Sequence, residues 1–546
     1  MTRLQVLEQQ NKDLRIRLAN KESKADISRC ALEDENKELQ DQLCGRDKTV
    51  AMLQREIGAL TKKLAAANDL RMETMQERID TAVAAAVAAA TAPLLEQLAK
   101  TNAEIARLKA IINKDSSNSS KPPSKDNFKD TPNNREKSKR SRGGQKGHPG
   151  HRLGQPKNLD ELIEKGFVKR QIVDHTDGCS EYISRFVIDV EVVTTITEHR
   201  FSKDAKLPKD LYNEMSYGDN IKAMSVLLLN EGIIAEQRLS NILTGLTHGV
   251  VTISPATLEK FQTQFAQKLV DGGELEAIRQ DLLNGKILHT DDTPSRCLEI
   301  IEYLEDGKTV IHTAEKKSFQ PTIRTHSNDF STLFTVNPQK DKEGIVRDDI
   351  LPHFFGKLSH DHEIKFYNYG TEHSTCGAHL LRDLKGLRDL WMIPWAGNMR
   401  SLIAKMNRHK NKDLSKNVPK CDPQILADFE KQFDVLMARG RSELALLSDG
   451  AWNYNEFKKM INRLTDYKDC YLLFIRDYEA PFSNNLSERD LRIEKTKLKV
   501  SGPFRSWSGI KTHVTVRSFI STLKKRKQDL FASIVNVNQG IPVLRL

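Results

Sequence analysis

Three carboxylates, Asp291, Asp361 and Glu488, stand in three separate blocks of the chain, each in surroundings that suit an acid meant to meet the others. In GKILHTDDTPSRC, residues 285–297, the apolar pair Ile287-Leu288 leads into adjacent acids and then the chain-breaking Thr293-Pro294, so Asp291 is expected at the end of a strand. GKLSHDHEIKFYNYG repeats the plan: a short run through Leu358 reaches His360-Asp361 and is followed by Phe366, Tyr367 and Tyr369. The third block, PFSNNLSERDLRIEKTKLKV, opens on Ser483-Asn484-Asn485, a helix-start signal that puts Glu488 within the first turn or so of a basic helix.

Acids converge in this way where phosphodiester chemistry uses a pair of divalent ions, one generating the attacking oxygen and the other stabilising the leaving oxygen. Hard Mg²⁺ prefers carboxylate oxygen and water to imidazole or thiolate. Taken singly, each of the three is more often an ordinary solvated acid among 74 Asp and Glu residues.

Neighbouring residues carry separate expectations. Cys376 and His379 share a helical face and suggest a metal pair, but packing or orienting the site is the preferred reading, because no second Cys/His pair of zinc-finger spacing lies nearby. Arg382, on the same face, either steers a phosphate or braces an acid such as Asp361. Asn485 caps the glutamate helix or touches DNA, capping being the commoner use. Arg489, Arg492, Lys495, Lys497 and Lys499 give that helix a basic flank, suited to DNA phosphates or simply solvated.

These blocks resemble the DDE transposases of the insertion sequence 66 family. HTDDTPSRC is similar to that family's first-aspartate segment, SHDHEIKFYNYG with the following CGAHLLRDLKGL to its second, and SNNLSERDLRIEKTKLKVSGPFRS to its glutamate segment. The resemblance implies that Asp291, Asp361 and Glu488 hold two Mg²⁺ ions, with Mn²⁺ as a substitute, and that Asp292 occupies the place of a second acid that is not a ligand. It further implies an α/β, ribonuclease-H-like catalytic core, cleavage at the ends of a mobile DNA element, and strand transfer by the freed 3′-hydroxyl. Two rivals are a catalytically silent DNA-binding derivative, which should have lost an acid, and a coiled-coil scaffold, which leaves the acid blocks unexplained.

Whole-chain composition agrees with a nucleic-acid partner. Lys and Arg number 85 in 546 residues, for a formal charge of +11, which favours loose association with a polyanion without conferring sequence specificity. Seven cysteines without CxxC spacing argue against a disulfide framework and for a reducing cytosol. No uninterrupted apolar stretch of spanning length is read, the Ala82–Ala92 run being too short, so no membrane association is expected.

The elements that must position the acids follow along the chain. Residues 1–113 favour helix, with coiled-coil spacing at Leu53, Ile57, Leu60 and Leu64 and again at Leu94, Leu98, Ile105, Leu108 and Ile112, which predicts a homo-oligomer, most simply a dimer. The Ala-rich segment and Pro93 are expected to interrupt it. Residues 114–158 form a basic linker expected to be disordered, in which Lys137, Lys139, Arg140, Arg142 and Lys146 are placed to run along phosphates. A small β module is expected over 159–214; related chains often carry a four-cysteine zinc ribbon there, but only Cys179, beside His175, remains, so structural zinc is not expected. Residues 215–284 read as helical, either a helix-turn-helix or a plain pair covering the core. The catalytic domain spans 285–530, with a helical insertion at about 391–480 and a tail over 531–546. Trp391, Trp395 and Trp452 in that insertion are expected to serve its core.

Overall fold

The computed structural model describes residues 46, 49–62, 73–115, 117–119, 158–166, 168–175, 180–181, 183–208, 211, 213–303, 309–313 and 320–544. The chain divides into two compact units, one of residues 1–131, 219–234 and 259–546, the other of 132–218 and 235–258.

The first unit is built on a five-stranded mixed sheet in the order β5-β4-β1-β6-β7, where β1 is Ile287–Pro294, β4 Thr322–Ser327, β5 Thr332–Asn337, β6 Lys357–His360 and β7 Glu372–Thr375. A separate hairpin of β2, Glu299–Tyr303, and β3, Thr309–Thr313, lies between β1 and β4 in sequence. β4 runs antiparallel to both β1 and β5, whereas β1, β6 and β7 run parallel. On one face Leu288, Leu333 and Leu358 join a core with Val226, Phe265, Ile278 and Phe519 from the surrounding helices. The opposite face carries a smaller cluster in which Ile323 and Phe334 meet Leu491, Phe504 and Trp507.

β4 is buried along its whole length although its sequence, TIRTHS, is mostly polar. Buried polar groups need partners; the surrounding elements supply acids and hydroxyls, while Arg324 Nε and Nη2 and both His326 ring nitrogens make no hydrogen bond among the described residues. Arg324 pairs with Asp348, and its Nη2 lies 3.7 Å from Asp292. His326 Nε2 is 3.7 Å from Asp348, whose other oxygen accepts a 2.6 Å bond from Asn337 Nδ2. Thr325 bonds Ser487, and Ser327 donates to Asp490 at 2.7 Å.

The β5 edge is closed by helix Trp507–Lys525, which offers hydroxyls to the free backbone donors: Thr332 N–H bonds Thr522 Oγ1 at 3.1 Å and Phe334 N–H bonds Ser518 Oγ at 2.8 Å. An edge covered in this way is withdrawn from pairing with other chains.

Between β7 and the glutamate helix, Asn485–Ser501, lie helix Gly377–Asp389 and then helices Trp395–Leu414, Pro423–Leu446, Tyr454–Asp466 and Lys468–Arg476. They have a core of their own centred on Trp395, Phe433, Phe457 and Tyr471. Trp395 Nε1 donates to the Leu436 carbonyl at 2.7 Å, and Trp391 stacks on Trp452 with ring centroids 5.7 Å apart. The insertion read from sequence is therefore a folded helical layer, and its tryptophans serve its packing.

Three expectations differ from the structure. Helix Glu73–Ile112 is continuous through the alanine run and Pro93. Proline removes one helical hydrogen bond, and the flanking run of alanines, the best helix formers, favours continuation. Arg46 Nη1 reaches Thr101 Oγ1 at 3.0 Å, so the preceding helical piece is tied to this one. Within the long helix, Ile79–Ile112 contains a window with mean hydropathy 1.5, long and apolar enough by composition to cross a membrane, contrary to the sequence expectation. Alanine accounts for most of that signal and buries little area per residue.

The β module expected over 159–214 is not formed among the described residues: after the short helix Leu159–Glu164 no hydrogen-bonded strand occurs. Ile183, Val187 and Val190 are 79, 93 and 81% exposed. Alternating apolar residues make a sheet only when a neighbouring strand supplies the ladder. Lys137, Lys139, Arg140, Arg142, Lys146 and Cys179 lie outside the described residues.

The charge pairing behind β4 yields a stability prediction. Asp348→Ala leaves Arg324 buried without its partner and should lower unfolding free energy by about 3–5 kcal/mol in urea titration. Burial opposes ionisation of Asp348, but His326 and Arg324 outweigh it and hold its pKa below the ordinary value. A depressed folded-state pKa means that this contribution is present above the usual aspartate range and fades as pH falls through it, so the wild-type advantage over Asp348→Ala should shrink below about pH 4.

Candidate active site

Sheet register brings the two aspartates together. β1 and β6 pair in parallel with Ile287 opposite Lys357 and His289 opposite Ser359, and the same offset places Asp291 beside Asp361, the residue that follows β6. Alternation along a strand sends every second side chain to one face. Leu288 and Leu358 enter the large core, so His289 and Asp291 project to the opposite face, where the glutamate helix lies. Thr325, the cross-strand partner of Asp291, bonds Ser487, the residue before Glu488.

Asn484 fixes the start of that helix. Fully buried, it donates from Nδ2 to the Thr290 carbonyl at 2.7 Å, while its Oδ1 lies 3.0 Å from His289 Nδ1. Because Oδ1 carries no proton, the ring nitrogen is the donor. Burial pushes the His289 pKa down to about 4, against the pull of this bond, so the imidazole stays neutral. Asn484 backbone N–H also donates to Cys376 Sγ at 3.3 Å.

Charge is sorted around the acids. Asp292 receives Lys340 at 2.7 Å and Lys365 at 3.2 Å, with Arg324 at 3.7 Å, and Glu363 receives Lys340 at 2.5 Å and Lys365 at 3.3 Å. Burial opposes the charge on Lys340, but Asp292 and Glu363 outweigh it and raise its pKa. Among the described residues no Lys or Arg pairs with Asp291, Asp361 or Glu488. Asp361 Oδ1 is buried without a hydrogen-bond partner.

The electrostatic result is mutual repulsion. Burial first, then the charges of Asp361, Asp292 and Glu488, raise the Asp291 carboxyl well above its ordinary pKa. Burial, then Asp292 and Glu363, push Asp361 up to about 6, with Lys340 pulling the other way. Three carboxylates from β1, the end of β6 and the glutamate helix, with an unsatisfied oxygen and no paired cation, have the donor set that a hard divalent ion takes.

Comparison with protein families decides the relationship. A model of the transposase IS66 family matches residues 215–512, more than half of the chain. The chain belongs to the IS66 family of transposases. All three acids of this IS66 transposase fall inside the matched span. Residues 62–154 match a second family, of unknown function, DUF6444. Comparison with curated proteins and with solved structures finds no match.

Other residues singled out from sequence sort themselves by their neighbours. His379 Nδ1 lies 3.5 Å from Glu488 Oε1, and Cys376 Sγ lies 3.9 Å from the same oxygen. Burial and the Arg382 charge lower the His379 pKa, while Glu488 opposes them. Arg382 Nε bonds its own helix at the Ala378 carbonyl, 3.4 Å away, and makes no ion pair with Asp361. Asn485 is the exposed first residue of the glutamate helix. The cap position belongs to Asn484, whose side chain is turned into β1 instead of onto the helix backbone.

Arg489, Arg492, Lys495 and Lys499 are exposed at steps of three and four along the same helix. Lys497 departs from this basic flank, with its Nζ 3.9 Å from the Phe504 ring centroid. Sequence reasoning named Asn484 only as part of a helix-start signal, without its bond to β1, and missed Lys340 and Lys365. Of the two lysines only Lys365 could have been found, as a cation in the second-aspartate block.

The latch role of Asn484 separates it from its neighbour. Asn484→Ala should cost about 1–3 kcal/mol by orphaning the Thr290 carbonyl and His289 Nδ1. Asn485→Ala should stay within about 0.5 kcal/mol. Urea unfolding of the two variants beside wild type makes the comparison.

Proposed function

We propose that this IS66 transposase is a DDE enzyme that cleaves DNA at the ends of its mobile element and transfers the freed 3′-hydroxyl to target DNA. The observation that carries the reading is the charge sorting: of five acids around the β1–β6 junction, Asp292 and Glu363 are neutralised by Lys340 and Lys365, and Asp291, Asp361 and Glu488 are left for another cation. A ribonuclease-H-like core is supported by the strand order, an antiparallel β1-β4-β5 meander followed by parallel β6 and β7.

Asp291, Asp361 and Glu488 would hold two divalent ions, Mg²⁺ or Mn²⁺. When bound, such ions lower the pKa of the attacking hydroxyl and stabilise the leaving oxygen. The protein's own work is positional. β1 and β6 hold two carboxylates side by side, the Asn484 latch fixes the helix that brings the third, and Asp292 keeps Lys340 and Lys365 occupied beside them. Arg489, Arg492, Lys495 and Lys499, unpaired by acids among the described residues, supply a track for the DNA backbone leading away from Glu488. Self-association through the half-buried seam Val83, Val87, Leu94 and Leu98 fits a synapse of two element ends.

The test uses full-length protein, a duplex carrying the element's terminal repeats, and Mg²⁺ or Mn²⁺. Wild type should cut the duplex, and Asp291→Asn, Asp361→Asn and Glu488→Gln should each lower the rate by at least about 100-fold while retaining binding in gel shift. Binding without cleavage by wild type would point to a silent DNA-binding derivative. Replacing Arg489, Arg492, Lys495 and Lys499 together by Ala should reduce the salt dependence of duplex binding by about three to four in the log–log slope, roughly 0.9 for each phosphate that is no longer neutralised.

A further inference from the structure

We propose that Cys376, His379 and Glu488 form a second metal site, selective for a thiophilic divalent ion of the zinc class, whose occupation withdraws Glu488 from the catalytic carboxylates. Sγ of Cys376, a ring nitrogen of His379 and a carboxylate oxygen of Glu488 all lie within 4.8 Å of one another. The separations from Glu488 Oε1 are 3.9 Å to Sγ and 3.5 Å to Nδ1. A tetrahedral ion with bonds near 2.3 Å to sulfur and 2.0–2.1 Å to nitrogen and oxygen has ligand–ligand edges of ~3.5 Å for S–O and ~3.3 Å for N–O. The two edges that meet at Glu488 Oε1 are therefore within about half an ångström of those of a tetrahedral coordination face, and the third, between sulfur and imidazole nitrogen, is no longer than 4.8 Å, with the fourth position left to water.

Two further observations point to a ligand. His379 Nδ1 is buried with no hydrogen-bond partner, and a buried nitrogen of this kind is costly unless something occupies it. Asn484 backbone N–H already donates to Cys376 Sγ at 3.3 Å, the outer-sphere interaction that steadies a metal thiolate. Side-chain exposures of 17% for His379 and 22% for Glu488 leave a route for an ion.

On binding, the Cys376 thiol releases its proton to solvent and the thiolate forms the bond to the metal, so thiolate and carboxylate together neutralise the dication. Mixed sulfur, nitrogen and oxygen donors favour zinc-class ions over Mg²⁺. The consequence for catalysis rests on the proposed role of Glu488, whereas the binding itself does not.

The experiment titrates chelator-treated full-length protein with Co²⁺ and reads the thiolate-to-cobalt charge-transfer absorption, then displaces Co²⁺ with Zn²⁺ or Mg²⁺. One site is expected, emptied by Zn²⁺ but not by equimolar Mg²⁺. Its thiolate band should vanish in Cys376→Ser and persist in Cys297→Ser and Cys421→Ser. Zn²⁺ affinity, measured by competition with a chromogenic chelator, should fall at least about 100-fold in His379→Ala, beyond what removing an outer-sphere partner produces, with circular dichroism confirming that each variant is folded. A cobalt spectrum without a thiolate band, or a band that survives Cys376→Ser, overturns the site, and so does undiminished Zn²⁺ affinity in folded His379→Ala. Zn²⁺ should also suppress Mg²⁺-dependent cleavage reversibly. A thiolate band in a protein that never cleaves DNA would sink the nuclease reading and leave the metal site standing.

Discussion

A wholly buried polar strand inside a sheet, between β1 and the edge strand β5, is the constraint on which the rest of the architecture depends. β4 places Arg324 and His326 where water does not reach, and their burial is offset by the charge of Asp348, itself held by Asn337, and for Arg324 by Asp292 as well. That demand propagates. Asp292 must sit on β1 opposite Arg324, which the antiparallel register delivers, and the adjacent Asp291 is then turned to the other face by strand alternation. The same residue pair thus separates two duties: one acid completes a buried ion network, and its neighbour is kept out of it.

The helical insertion is compatible with this precision because its ends meet. Gly377 N–H bonds the Phe482 carbonyl at 2.8 Å and Ser374 Oγ donates to the Pro481 carbonyl at 2.6 Å, so the chain leaves the sheet and returns at one point. A Cβ on Gly377 would lie 2.3 Å from the Phe482 ring, which makes glycine a requirement of that closure. With its own apolar core, the intervening layer can be long without loosening the junction, since the entropy of closing a loop grows only slowly with length. The glutamate helix therefore starts from a fixed point, held by Asn484 to β1, although Glu488 is distant in sequence from both aspartates.

Local residue types made much of this legible. An apolar pair ending in acids and a chain breaker marks a strand end, and β1 indeed spans Ile287–Pro294. A Ser-Asn-Asn start marks a helix, and the helix does begin at Asn485. What stayed hidden depends on tertiary neighbours. Asn484 and Asn485 are chemically identical, and only the fold shows that the first faces β1 and the second faces solvent. Cys376 and His379 looked like an incomplete pair because the third donor comes from another helix. Pro93 looked like a break because the one-dimensional pattern omits how strongly the surrounding alanines favour helix. Within the β module expected over 159–214, the β-type runs Tyr182 to Val187 and Val190 to Thr197 announced strands, but such a run does not specify the partner that must pair with it.

Placement of the cations explains how a cluster of acids can persist so near a buried network. Lys340 and Lys365 bridge Asp292 and Glu363 and add no direct bond to Asp291 or Asp361. Their engagement is what keeps the aspartate pair repulsive, with both carboxyls raised in pKa and Asp361 Oδ1 unsatisfied. Such repulsion works against the folded state, yet it is confined to a few residues while the ion network and the two apolar cores on the faces of the sheet stabilise the structure around them. On the proposed reading, the same local instability preorganises the carboxylates for a divalent ion. Asp292, which completes the β4 network, and Asp291, which on that reading awaits the ion, are neighbours on β1, so on that strand stability and the proposed chemistry are divided by strand face rather than by distance.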